Sequence, residues 1–185
     1  LLRAGSGGVR LLPAPRVAVM AAGPRGGLDP RLYQIAALSG LLAYGLLRLD
    51  LDVQPARAAI ILASALAAQY ACTRAWQLGV FDPRSALISG LSLCLLLRTN
   101  DAGLAIVAAV VAVSSKLLIK VNGKHLFNPT NIAIVALMAV TGSVWVSPGQ
   151  WGNVAFFAFL MACLGGLVVN RASRSDVTYA FIAFY

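Results

Sequence analysis

The chain contains no glutamate. Its only acids are Asp29, Asp50, Asp52, Asp82, Asp101 and Asp176, and charged residues of both signs make up 11% of it. A water-soluble domain carries about 25% charged residues, so there is too little polar surface here to wrap a soluble globule. Histidine occurs once, as His125, and cysteine three times, as Cys72, Cys94 and Cys163. The cysteines are far apart and form no CxxC, which suits small apolar residues inside helices better than disulfides or a metal site. No nucleophile–base pair, metal-ligand set or glycine-rich phosphate loop is visible, so no catalytic residue and no metal ligand is assigned.

What remains is apolar. Hydrophobic residues reach 59% and the mean hydropathy is +0.81. That composition excludes disorder and makes the lipid bilayer the expected partner. The net charge of +9 does not point to nucleic acid. The basic residues stand in small groups between apolar stretches, as in membrane proteins, and not in a basic stripe interleaved with aromatics.

Residues 1–30 differ from the rest, with six Gly, four Pro and four Arg. They read either as a flexible basic cytoplasmic lead or, slightly preferred, as upstream sequence translated ahead of Met20. Residues 31–185 form the membrane domain. The apolar run from Ala180 to Phe184 is too short for a crossing that begins after Asp176, so the domain is expected to continue in a longer protein.

Uncharged stretches mark the spans: Leu32–Leu47, Ala58–Thr73, Ser85–Leu97, and Ala102–Ser115, extending to Ile119 if Lys116 snorkels. The uncharged run from Leu126 to Asn170 is too long for one helix. Thr141-Gly142-Ser143 and Ser147-Pro148-Gly149-Gln150 are turn chemistry, which divides it into about Asn131–Val140 and Asn153–Val169. A seventh span begins near Val177. Segments 85–97 and 131–140 fall short of the ~20 residues a crossing needs; they read as snorkelled short spans or as half-helices ending inside the membrane. The expected fold is all-α, polytopic, with short or broken helices. With the N-terminus cytoplasmic, Arg25, Arg31, Arg74, Arg84, Lys116, Lys120, Lys124, Arg171 and Arg174 lie inside, and only Arg48, Arg57 and Arg98 lie outside. Crowded small residues, among them Ala58 to Ala71, Ser85, Ser89, Gly90, Ser92 and Gly165-Gly166, suit close helix packing in lipid.

The most informative stretch is Gly123-Lys124-His125-Leu126-Phe127-Asn128-Pro129-Thr130-Asn131. Pro129 suits a first helical turn and Asn128 is a good N-cap, so a helix is expected to start here with free N–H groups near Thr130 and Asn131. One reading is a capped helix start with Lys124 and His125 at the interface. The other is a ligand-lining constellation of Lys124, Asn128, Thr130 and Asn131 that holds an anionic or carbonyl group. His125 reads as an interface residue, not a proton relay.

Five stretches carry a resemblance: Ser85 to Ser92, Leu95 to Asn100, Ser115-Lys116, Gly123 to Asn131, and Val146 to Gly152. Together they resemble the RnfD membrane-protein family, whose members belong to the Rnf electron-transport complexes and to the sodium-pumping NADH:quinone reductase. The likeness covers roughly residues 30–185, its most specific part is Gly-Lys-x-x-Phe-Asn-Pro, and it is nearest to the stand-alone RnfD type. It implies two inverted halves in a urea-transporter-like arrangement, of which this chain is the first part. It also implies a role in redox-coupled electron transport and ion translocation in the bacterial inner membrane, beside other redox subunits. Channel or carrier activity toward a small solute, and a non-catalytic scaffold role, are the alternatives.

In flavin-carrying family members FMN is attached to the Thr of a (Ser/Gly)-Gly-Ala-Thr motif. None of Thr73, Thr99, Thr130, Thr141 and Thr178 follows Gly-Ala. No cofactor is therefore expected on this chain; FMN would belong to a missing C-terminal part. No acid lies between Asp101 and Asp176, so a membrane carboxylate for cation transfer would lie there too.

Overall fold

The computed structural model describes residues 29–48, 53–77, 80–121, 124–125, 127–147 and 154–184. The N-terminal lead and the turn around Pro148 lie outside them. Among the described residues the chain is mainly helical, with α1 (Pro30–Arg48), α2 (Pro55–Ala75), α3 (Pro83–Leu96), α4 (Ala102–Leu118), α5 (Pro129–Thr141), α6 (Val154–Arg171) and α7 (Ser175–Phe184). Four short strands, β1 (Leu97–Thr99), β2 (Lys120–Val121), β3 (Lys124–His125) and β4 (Val144–Val146), complete it. By length and composition one helix, the 21-residue α2, is long and apolar enough to cross a membrane; α3, α4 and α5 are apolar but shorter.

The starts of α1, α3, α4 and α5 share one device. Asp29, Asp82, Asp101 and Asn128 each accept, through a side-chain oxygen, the backbone N–H two residues on, at 2.9, 3.1, 2.6 and 3.0 Å. Three of these acceptors are followed by Pro, whose fixed φ and missing N–H suit the first turn. Asn128 is the N-cap of α5, and α5 closes at Gly142, whose φ of 61° is left-handed and favours glycine.

Polar contacts between elements fall at two ends. At one, Arg31 pairs with Asp82 at 2.8 Å, Arg84 with Asp29 at 2.6 Å, and the Lys116 ammonium reaches Ser85. At the other, Arg57 on the first turn of α2 donates to the Thr99 and Asn100 carbonyls. Helices α1 to α4 thus run alternately up and down. The 14 residues of α3 and 13 of α5 rise only roughly 20 Å each. Beyond α3 the chain continues as β1, and beyond α5 it reverses at Gly142 into β4. The two strands pair antiparallel, Leu97 opposite Val146 and Thr99 opposite Val144. All three residues of β1 are buried. Arg98 lies among them and donates to the Cys94 and Leu97 carbonyls and to Ser147 Oγ, tying the end of α3 to the residue after β4.

Within a core that also holds Ile61, Leu93 and Val113, small residues line the contact between α2 and α4. Ala105, Ala108, Ala109 and Ala112 of α4 are wholly buried, facing α2 at Ala58, Ile61, Ala65 and Ala68, while Ile106, Val107 and Val110 on the other side of α4 are exposed. Gly90 of α3 rests on α2: a Cβ there would stand 3.0 Å from Leu62 Cδ2 and 3.4 Å from Ala65 Cβ. Helix α6 joins the bundle beside α1, through Tyr44 against Phe157 and the Arg171 guanidinium over the Tyr33 ring.

Candidate functional site

Two features share the end of the bundle where α1 and α3 begin. The first is a clasp of four charges. Asp29-Pro30-Arg31 opens α1 and Asp82-Pro83-Arg84 opens α3, so the same tripeptide starts both helices. Each arginine reaches across to the other's aspartate, and Arg84 Nε also returns to its own Asp82 at 2.9 Å. The Arg84 guanidinium, first through that hydrogen bond, holds the Asp82 carboxyl below the usual carboxylate range.

The second is a cavity of about 470 Å³ between α1, α3, α4 and the start of α5. Its size falls in the range of small-molecule sites, about 300–1,000 Å³. Ser85, Ser89 and Ser92 line it from α3, where spacings of four and three put them on one helix face. Lys116 reaches in from α4 and donates from Nζ to the Ser85 carbonyl at 2.6 Å and to its hydroxyl at 3.1 Å. Asn128 and Thr130 line the cavity from the start of α5, Arg31 and Gln34 from α1. No carboxylate is among its described lining residues.

The ligand-lining set expected from sequence is divided. Asn128 and Thr130 face this cavity, but Asn131 does not. It is exposed and lines an adjoining groove of about 390 Å³ with Phe127, Ile132, Val135 and Asn128, which borders both spaces. One residue turns a helix by 100°, so Thr130 and Asn131 cannot serve the same wall. The backbone of Lys124 pairs with Val121 in a two-stranded ribbon; the side chains of Lys124 and His125 lie outside the described residues. Sequence reasoning misses Ser85, Ser89, Ser92 and Lys116 as site residues, because it counts the serines as packing residues and Lys116 as a snorkelling residue. A polar stripe at helical spacing on an otherwise apolar helix is the signal that marks them. Gly90, grouped with the serines in sequence, does pack against α2.

At the opposite end Arg57 and Arg98 border a smaller cavity of about 40 Å³ with Trp145 and Asn100. Among the described residues no cluster of three or more His, Cys or Asp could hold a metal ion. Comparison of the chain with family models, with curated proteins and with solved structures finds no match.

Proposed function

We propose that this chain is part of a multi-pass protein of the bacterial inner membrane, similar in role to the RnfD component of an Rnf-type complex and serving redox-coupled ion translocation. The observation that carries the reading is the pair of short helices whose extensions meet in the β1–β4 ribbon. Extended backbone at membrane depth is tolerated only where it is buried in protein and its polar groups are paired; β1 meets both conditions, whereas β4 is paired but exposes Trp145 and Val146. Discontinuous segments of this kind are common around a path for an ion or polar solute. The inside-out sorting of side chains supports lipid around the bundle. Alanines of α2 and α4 pack closely in the interior beside buried Leu93 and Val113, while Leu47, Val135, Val140, Phe159 and Ile182 are more than three-fifths exposed, as expected where close packing holds helices together in lipid.

The basic residues support the orientation. Arg31, Arg74, Arg84, Lys116 and Arg171 gather at the clasp end, which is then cytoplasmic, and Arg48, Arg57 and Arg98 at the other. Electron carriers would come from partner subunits. The test is purification of the full protein, tagged at its native locus, in mild detergent. Co-purifying subunits that carry flavin or iron–sulfur absorbance fit the redox role. A colourless protein that alone moves a neutral solute such as urea into proteoliposomes establishes the second reading, a solute channel, which the hydroxyl-lined cavity favours.

A further inference from the structure

We infer that the cavity between α1, α3, α4 and α5 is a binding site for a phosphate group. The inference takes from the proposed function only the placing of this end at the cytoplasmic face, and is independent of any redox role. Three observations converge. The first is unspent donor capacity in a cleft whose described lining holds no acid, Asp82 standing behind Arg31. An ammonium has three N–H donors, and Lys116 spends two of them on Ser85. The second is Thr130. Its residue surface is 2% exposed, it lines the cavity, and its hydroxyl makes no hydrogen bond among the described residues. No fully buried side-chain polar atom among the described residues is without a partner, so this hydroxyl keeps accessible surface, and the cavity is where a partner can stand. The third is that Ser92 and Gln34, facing the same space from α3 and α1, also form no side-chain hydrogen bond among the described residues. Donors from four helices thus surround one volume.

The geometry selects the anion class. A flat carboxylate is best met by the parallel fork of an arginine, and the one arginine here, Arg31, is engaged with Asp82. A lysine point charge with hydroxyls arranged around it suits a tetrahedral oxyanion. The cavity also holds more than the ion itself, so the phosphate can be borne by a larger molecule. Either a free phosphate or the headgroup of an anionic lipid offers this chemistry at the cytoplasmic face.

The test uses the full chain in nanodiscs of phosphatidylcholine, with thermal unfolding followed by tryptophan fluorescence. Inorganic phosphate at millimolar levels, against chloride at equal ionic strength, is expected to raise Tm. Thr130→Val, which keeps the shape and removes the hydroxyl, should weaken phosphate binding several-fold, and Lys116→Met at least about tenfold, as expected for loss of a hydrogen bond to a charged group. In nanodiscs containing phosphatidylglycerol, a Tm rise without added phosphate that Thr130→Val removes would assign the site to a lipid headgroup and uphold the inference. Should Lys116→Met fail to fold, Thr130→Val decides alone. No Tm shift with either phosphate source, a shift that Thr130→Val leaves intact, or a shift with urea in place of phosphate would overturn it.

Discussion

Gly90 fixes how closely α3 lies on α2, and with it the wall from which Ser89 faces the cavity. A Cβ at this position would stand 3.0 Å from Leu62 Cδ2, 3.4 Å from Ala65 Cβ and 3.7 Å from the Leu62 Cα. The nearest atom is the tip of a flexible side chain and can yield. Gly90→Ala therefore combines a small repacking cost with the helix-propensity gain of about 1 kcal/mol, and should stay within about 1 kcal/mol of the parent. Gly90→Ile adds branches toward Ala65 and the α2 backbone, which cannot yield, and should cost about 1–3 kcal/mol as overpacking. Gly40 on α1 is the control, because a Cβ there meets nothing within 4 Å. The assay is unfolding in mixed micelles with rising dodecyl sulfate fraction, followed by tryptophan fluorescence. Gly90→Ile should unfold at clearly lower dodecyl sulfate than Gly40→Ile. Equal midpoints would refute the close α2–α3 approach on which the cavity wall depends.

Three further outcomes are expected. The Asp82 carboxyl is held below its ordinary value in the folded chain, so its stabilising effect is complete above the unfolded value of about 4 and is lost as pH falls through the folded one. The Tm gap between the parent and Asp82→Asn should thus be present at pH 7 and close below about pH 4, and a gap unchanged at pH 3 would contradict the clasp. Asn128→Ala removes the acceptor for the Thr130 N–H and should destabilise by about 1 kcal/mol, measured in the same micelle titration; no change would mean that α5 does not depend on this cap. A denatured, washed sample of residues 1–185 made with an active flavin transferase should show no flavin fluorescence, since no threonine follows Gly-Ala, whereas a fluorescent band at its mass would show that one of the five threonines accepts flavin.

The helices are legible in the sequence because charge punctuates this chain. Arg31 and Arg48 bracket α1, Arg57 and Arg74 fall in the outer turns of α2, and Asn128-Pro129 marks the start of α5. The ribbon is not legible. Leu97 ends an uncharged run and so falls within the third expected span, yet it is the first residue of β1. Its partner Val146 is far along the chain, and three-residue strands leave no periodicity to read. The clasp is hidden for a different reason. Asp29-Pro30-Arg31 and Asp82-Pro83-Arg84 lie far apart in the chain, and nothing in their spacing shows that the two helix starts meet. In the cavity, Asn128 and Thr130 stand out through the proline beside them. Lys116 and the serines sit in segments whose apolar character dominates, so only their shared helix face marks them.

The central claim is that the bundle threads a membrane several times, with the β1–β4 ribbon on the far side from the Asp-Pro-Arg clasp. It is tested most directly by labelling with a membrane-impermeant maleimide. The parent is the full protein with every native cysteine, Cys72, Cys94 and Cys163 among them, replaced by alanine, carrying a single cysteine at Gln77, Asn100 or Ser173. In intact cells stripped of their outer membrane, Asn100→Cys should label, while Gln77→Cys and Ser173→Cys should label only in inside-out vesicles. Labelling of all three positions from one side, or the reverse pattern, would contradict it.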